Sequence, residues 1–398
     1  IRPMTSRPRP SVPRDKQDDY APQQAQTRRD FVREQTGTSL AHVASYSLDP
    51  ATLPGNIENF VGVAQVPIGL AGPLRVNGEH AQGDYYVPMA TTEGTLVASY
   101  NRGMRLLSQA GGVRATVVDD RMQRAPVFVL DNAVDARDLA GWIDAHEDEI
   151  RDAAQATTSV GRLVEIERYA VGPMLYTRFD YTTGDAAGQN MVGKATFAAC
   201  EWIQRNHPDH PRYVLSGAID TDKKHSQINM LRTRGKRVVA EATIPADLLH
   251  SHMGVTPEQL FRARQYSQTG GFMAASASNG AHAANGLAAL FIATGQDVAN
   301  VAESHASMVY SQVTEGGDYY WSITLPALIV ATVGGGTGLA TQRECLTMLG
   351  CYGPGRVRAF AEICAAVVLA GEVSLSSAVL AGDWVTSHER LGRNREVR

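Results

Sequence analysis

Apolar positions along the chain change period several times, and each change marks an element. Residues 1–28 carry Pro, Arg, Gln and Asp with almost no large apolar side chains, the pattern of a disordered or loosely docked arm. A short helix is expected over 28–47, and ordered structure from about Leu53. Residues 60–74 are apolar with Gly and Pro punctuation and read as strand and turn, and Tyr85 to Met89 as a short strand. Thr91-Thr92-Glu93-Gly94 then opens a helix in which Leu96, Val97, Tyr100, Met104 and Leu107 recur at helical spacing.

The stretch 113–214 has its own rhythm. Strands are expected at Arg114 to Val118 and Pro126 to Leu130, and then a helix at Val134 to Ala156 with Leu139, Trp142, Ile143 and Ile150 on one face. Strands at Leu163 to Tyr169 and Met174 to Tyr181, a helix at Asn190 to Asn206 and a strand at Tyr213 to Leu215 follow. The order β-α-β-β-α-β is the split pattern of a ferredoxin-like module. Polar connections at 119–125 and 216–226 make it an insertion into a larger unit. Beyond it, a strand at Val238 to Ile244 precedes helices near 257–269 and 283–294. A strand at Ser322 to Val333 runs into Gly334-Gly335-Gly336-Thr337-Gly338. Helices to about Gly350, at 355–370 and from Ser374 to His388 lead to an Arg-rich tail.

Composition narrows the class. The length of 398 residues gives a prior of two or three domains. With 37 Lys+Arg against 41 Asp+Glu, the chain lacks the basic excess of a general nucleic-acid binder. Cys200, Cys345, Cys351 and Cys364 form no C-x-x-C pair, which excludes a zinc ribbon or a thioredoxin-like motif and favours a reducing, cytoplasmic setting. No uninterrupted apolar run reaches the ~18 residues of a membrane span. The N-terminus is basic and Pro-rich, unlike a secretory signal.

Four polar positions can carry chemistry. Glu93 stands at a helix start beside apolar residues; it is either a first-turn capping carboxylate or an acid with two opposing influences on its pKa. Asp222-Lys223-Lys224 is either a solvated turn or an electrophile held against a carbonyl oxygen. Asp297 lies between apolar runs and either caps the next helix or is buried for function. His388 is either a solvated terminal histidine or a proton donor. The backbone of Gly334, Gly335 and Gly336 can cradle an anion. Leu339 stands where the last Gly of G-x-G-x-x-G belongs, so a Rossmann site is unsupported. Asp185 to Met191 is a helix start that can receive a phosphate or serve as an ordinary loop. His207 with His210, and His250 with His252, have ligand spacing but no third ligand nearby, so no metal is expected.

In order along 53–395, the chain carries Glu58-Asn-Phe-Val-Gly-Val, Pro67-Ile-Gly-Leu-Ala-Gly-Pro-Leu74 and Met89-Ala-Thr-Thr-Glu-Gly-Thr-Leu-Val-Ala-Ser99. Next come Asp185-Ala-Ala-Gly-Gln-Asn-Met191, Thr221-Asp-Lys-Lys224, His282-Ala-Ala-Asn285, Thr294-Gly-Gln-Asp297, Thr332-Val-Gly-Gly-Gly-Thr337 and Ser387-His388. Together these resemble the hydroxymethylglutaryl-CoA reductase family. The T-T-E-G and D-K-K forms resemble its class I, NADPH-using branch.

The resemblance implies an α+β fold: a large mixed α/β substrate domain, an inserted ferredoxin-like (βαββαβ) cofactor domain and a small N-terminal helical arm. It divides the chain at 1–60, 61–124, 125–215, 216–388 and a mobile tail 389–398. It implies two hydride transfers that take the thioester to mevaldehyde and then mevalonate. Lys223 would stabilise the oxyanion, His388 protonate the departing CoA thiolate, and Glu93 protonate the aldehyde oxygen. Asp297 would sit between Glu93 and Lys223 and tune both.

By position, Ser99, Asn101, Arg102 and Arg105 resemble the CoA-binding helix, and His282 and Ser387 join the substrate and CoA contacts. Arg124, Ser216, Asp222, Lys224 and Asn285 resemble hydroxymethylglutarate or cofactor contacts. Asp185, Gly188, Gln189, Asn190 and Met191 resemble the NADPH motif, with Gly334, Gly335, Gly336 and Arg393 as further cofactor contacts.

There are departures: Ala187 and Gln189 replace the family's methionines, and Asn394 stands where eukaryotic members have a phosphorylated serine. A substrate lysine upstream of H-A-A-N has no counterpart, Arg264 and Gln265 being nearest. No sterol-sensing membrane region is present, so the resemblance is to the soluble prokaryotic type. It also implies a dimer or dimer of dimers with active sites between subunits, and neither membrane nor nucleic acid as partner. The alternatives are a reductase of the same fold acting on another acyl thioester, and a catalytically silent binding paralogue, which would lack one of the four polar residues.

Overall fold

The computed structural model describes residues 10–382. Helix α1 (Pro22–Thr36) has Pro at its start and ends at Gly37 in the left-handed conformation. Its Arg28 is buried, donates to the carbonyls of Pro13, Asp19 and Phe60, and pairs with the Asp19 carboxylate. Ala25, Leu53 and Phe60 close a small apolar cluster beside it. The arm is therefore docked from about Pro13, and its helix begins earlier than the expected 28–47. The anchor is a buried arginine, which an apolar pattern does not register.

Strands β1 (Ile68–Gly78) and β2 (Gln82–Ala90) form an antiparallel hairpin under helix α2 (Leu96–Gln109). Residues 60–67 are not strand. The helix starts after Thr95, a non-glycine residue at φ 73°, so Glu93 lies ahead of it and does not cap its first turn. Strand β3 (Val113–Arg124) runs straight through the expected polar linker at 119–125. Its charges are paired across strands: Asp120 with Lys236, and Arg121 with Glu165 and Asp180. These paired charges give a strand the composition of a loop.

The next elements are β4 (Val127–Val129), α3 (Ala133–Ala145), α4 (Glu147–Gln155), β5 (Arg162–Val171), β6 (Met174–Thr182), α5 (Gln189–Asn206) and β7 (Arg212–Val214). The strands pair antiparallel in the order β7-β4-β6-β5, the ferredoxin-like arrangement. Leu139, Ile143, Ile150, Val192 and Ile203 from the helices share one core with Ile166, Leu175 and Phe179. The single helix expected over 134–156 breaks at His146, whose ring stacks on Trp142 with its Nδ1 2.8 Å from the Trp142 carbonyl.

The remaining elements are α6 (Gln227–Leu231), β8 (Gly235–Ile244), α7 (Ala246–Met253), α8 (Pro257–Met273), α9 (Ala283–Thr294), α10 (Val301–Ser304), β9 (Met308–Val313), β10 (Tyr319–Leu328), α11 (Ala340–Met348) and α12 (Val357–Ala381). Strands β3, β8, β10 and β9 lie side by side, and β1 joins β3 in parallel. Strand β3 also pairs with β6, so it belongs to both sheets. Residues 329–333, expected as strand, are instead held partly by Gln296, whose amide exchanges bonds of 2.7 and 3.0 Å with the backbone of Ala331.

Helix α12 is the spine of the large core, where two helices were expected. It is long and apolar enough to cross a membrane by length and composition, but 78% of its most apolar window is buried inside the protein. Gly371 does not break it, and a Cβ there would stand 2.4 Å from the Tyr100 ring of α2. The two helices cross just as closely at Gly103, where a Cβ would meet the Ala370 carbonyl oxygen at 1.9 Å. Gly103→Ala forces helix backbones apart and is expected to destabilise by about 1–3 kcal/mol or more. The check is a fall in the urea midpoint of unfolding; an unchanged midpoint would show that the crossing can relax.

Candidate active site

The connection from β7 to α6 carries the Thr221-Asp-Lys-Lys224 motif in a conformation its residues disfavour. Ala218, Thr221 and Lys223 all sit at positive φ, at 67°, 57° and 55°. Polar partners hold it there. Arg124 and Ser216 converge on the buried Asp220 carboxylate, each at 2.9 Å. Thr221 Oγ1 donates to Asn229 at 2.9 Å. Asp222 Oδ1 accepts from Arg234 at 2.6 Å and from Gln189 at 3.0 Å. Lys224 Nζ turns back to the Asp222 carbonyl at 3.0 Å.

Lys223 Nζ lies 2.8 Å from Asp297 Oδ2. Asp297 follows the left-handed Gly295 that ends α9, and its Oδ1 accepts the Ala299 amide at 3.0 Å. Capping and ion pairing are thus both true of Asp297, one oxygen for each. The hydrogen bond that Lys223 donates to Asp297 is the main reason that the Lys223 pKa is held above the usual lysine value. The ammonium stays charged.

Glu93 is exposed in the single chain, and its Oε1 accepts from Asn285 Nδ2 at 3.3 Å. Asn285 lies in the first turn of α9, three residues after His282, its N-cap. His282 Nε2 stands 3.4 Å from Ser99 Oγ, which is 3.2 Å from Ser374 Oγ. Arg102 donates to the same Ser374 through its side-chain and carbonyl oxygens. Burial pushes the His282 pKa down to about 4, so its ring is neutral at ordinary pH. Ser99, Arg102, His282 and Ser374 therefore form one polar seam joining α2, the start of α9 and α12, and Asn285 pairs separately with Glu93. Asn101 points elsewhere, its Oδ1 accepting the Gly72 amide at 2.9 Å, and Arg105 is exposed.

A cleft of about 680 Å³ opens beside Asp297. It is lined by residues 186–191 at the start of α5, by 295–298, and by 333–337. Gly334 and Gly335 have positive φ and open space where a Cβ would project, and Gly188 must be glycine because a Cβ would meet Thr183 at 2.3 Å. Asn190 and Met191 line the cleft, and Thr158 donates to the Met191 sulfur. Gln189 bridges Asp222 and Asn300. Asp185 is not a lining residue: its carboxylate accepts the amides of Gly355, Arg356 and Val357 and so caps α12. Ser387, His388 and Arg393 lie outside the described residues.

Arg264 is buried, donates to the Asn279 carbonyl and packs over Trp321, while Gln265 is exposed. Among the described residues, Glu79, His80 and Glu362 have metal-ligand spacing, but both Glu362 oxygens accept amides of the 79–81 turn. Sequence reasoning missed the buried groups that hold the site: Arg234, Glu303 and Glu372. Glu362 and Glu372 had a legible signal, being carboxylates inside an apolar helix that must find partners when buried. Glu372 accepts the amides of residues 281–283 and so fixes the start of α9.

The chain matches the family model described as hydroxymethylglutaryl-coenzyme A reductase over residues 24–393. It is 45% identical over 369 residues to the 3-hydroxy-3-methylglutaryl-coenzyme A reductase of Methanothermobacter thermautotrophicus, covering 92% of both chains. It is 43% identical to that of Pyrococcus abyssi, again over 92% of each. A class II 3-hydroxy-3-methylglutaryl-CoA reductase from Streptococcus pneumoniae, solved bound to NADPH, shares the fold with a TM-score of 0.67 at 21% identity, over 89% of this chain and 97% of that one. The chain belongs to the hydroxymethylglutaryl-coenzyme A reductase family.

Proposed function

We propose that this chain reduces 3-hydroxy-3-methylglutaryl-CoA to mevalonate and CoA with NADPH, using Lys223, Asp297, Glu93 and His388. The observation that carries the reading is the Lys223–Asp297 ion pair at the edge of a glycine-lined cleft. The cleft suits a dinucleotide: the start of α5 offers backbone donors, and Gly334 and Gly335 leave room for close approach. Asn190, Met191 and residues 334–336 would hold it. When bound, NADPH supplies the hydride for each reduction.

Lys223 is a cation aimed where negative charge develops on the thioester oxygen, and that charge difference is what lowers the barrier. Asp297 keeps the ammonium protonated. Glu93 protonates the aldehyde oxygen in the second reduction, with Asn285 orienting the carboxylate. His388 protonates the CoA thiolate as it leaves. Ser99, Arg102 and His282 present a polar edge to the CoA portion, whose phosphates suit the guanidinium fork. A cytoplasmic setting is supported by four buried free thiols.

The working unit is a dimer or a dimer of dimers with active sites between subunits. Tyr266, Phe272, Met273 and Val379, all exposed in the single chain, line or adjoin one groove of about 740 Å³ and suit cover by a second copy. A different acyl thioester is the second reading. It is favoured by Arg264, whose donation to Asn279 and stacking on Trp321 draw the cation nearest the absent lysine into the core.

Lys223→Ala is expected to lower kcat for thioester reduction by about 100- to 1000-fold, the range for loss of one oxyanion donor, with the circular dichroism spectrum unchanged. Near-normal turnover would remove Lys223 from the mechanism. Asp297→Asn removes the main cause of the raised Lys223 pKa. The active form is the protonated amine, which persists up to that pKa. The alkaline limb of the kcat–pH profile is therefore expected to move to lower pH in Asp297→Asn. A limb that stays in place would show that another group controls it.

A further inference from the structure

The loop that carries Lys223 has a support that the reaction as described does not use. Lys223 sits at φ 55°, a left-handed conformation that a non-glycine residue disfavours. Its amide donates to Glu303 Oε1 at 2.9 Å. Glu303 is fully buried on α10, six residues beyond Asp297, and the same Oε1 accepts Arg234 Nε at 3.3 Å. Glu303 Oε2 is buried with no hydrogen-bond partner, so the carboxylate grips the loop through Oε1 alone. Arg234 is also fully buried. It donates to Asp222 Oδ1 at 2.6 Å and to the Gln123 carbonyl at 3.3 Å. Glu303 and Arg234 thus hold two consecutive residues, one by its main chain and one by its side chain.

We propose that Glu303, with Arg234 behind it, is a positioning residue for the reaction: it pins the Lys223 backbone in the left-handed conformation from which Nζ meets Asp297. This rests on the reading of Lys223 as the oxyanion cation. α10 and the Asp297 turn are contiguous, with Val298–Asn300 followed directly by Val301–Ser304. One short segment therefore fixes Lys223 at both ends, through Asp297 at the ammonium and Glu303 at the amide. A charged acceptor makes the amide bond stronger than a neutral one would. The cofactor cleft does not include Glu303.

The test uses the full chain and three variants. Glu303→Asp keeps the charge beside Arg234 but withdraws the oxygen by one methylene. Glu303→Ala removes the acceptor. Glu303→Gln keeps an oxygen in place. Asp and Ala are expected to lower kcat at least about tenfold while the KM for NADPH moves less than about twofold. Gln is expected to retain a third or more of wild-type kcat. Hydrogen exchange at the Lys223 amide, read by mass spectrometry of the 217–226 segment, is expected to speed up at least about tenfold in Asp and Ala and much less in Gln. The Asp variant keeps the experiment decisive if Ala does not fold. Unchanged kcat in Asp, or kcat, NADPH KM and melting temperature falling together in all three, would overturn the proposal. Faster exchange with unchanged kcat would mean that Glu303 holds the loop but loop position does not limit turnover, which also overturns it. Lys223→Ala is the control: if that variant stays active, the catalytic reading fails while the exchange result still reports on Glu303.

Discussion

The site depends on a loop kept in an unfavourable shape by buried charge. Three non-glycine residues within 218–223 adopt positive φ, each at a cost of about 1–3 kcal/mol. Such a turn persists only if its surroundings over-determine it. Here Asp220 takes Arg124 and Ser216, Asp222 takes Arg234 and Gln189, and Glu303 takes the Lys223 amide. Each is a charge-assisted bond, and Arg234 and Glu303 are fully buried, so removing one partner would leave an uncompensated charge. The result is a lysine whose position is set before any ligand arrives, which electrostatic catalysis requires.

The same device recurs. Glu372 holds the amides at the start of α9, Glu362 holds the turn between β1 and β2, and Asp185 caps α12. Each places a carboxylate on unpaired main-chain donors, where the local dipole favours the anion. Two of the three lie on α12 itself, so the core helix is also the part that fixes the irregular segments. Glu372 is the more consequential, because His282 and Asn285 take their places from the start of α9 that it anchors, and Ser99 of α2 meets His282 there. Burial raises the pKa of Glu372 and of Glu303, and the amides they accept act against that rise.

Much of this was legible in the sequence because periodicity reports burial. The α2 face, with Tyr100, Met104 and Leu107 fully buried, followed from helical spacing. The strand and helix order of 126–215 was readable for the same reason. Two of the misreadings share one cause: polar residues that find partners in the fold look like loop in the sequence. Asp119 to Arg124 reads as a linker, yet it is strand, since its charges pair across neighbouring strands. Arg28 reads as part of an arm, yet it is the buried anchor of that arm. Asp297 and Lys223 could be named by motif, and the resemblance implied that they meet, but the contact joins residues 74 positions apart and its geometry comes from the fold. Glu303 and Arg234 gave no local signal at all, because their work is done on each other and on a distant backbone.

The proposed reaction requires that one site complete both reductions of the thioester. The most direct test counts NADPH oxidised against CoA thiol released with 3-hydroxy-3-methylglutaryl-CoA as substrate, with NADH run in parallel. Two NADPH consumed per thiol, mevalonate as the product and little reaction with NADH are expected. One NADPH per thiol with aldehyde accumulating, or no oxidation of either cofactor with this thioester, would contradict it.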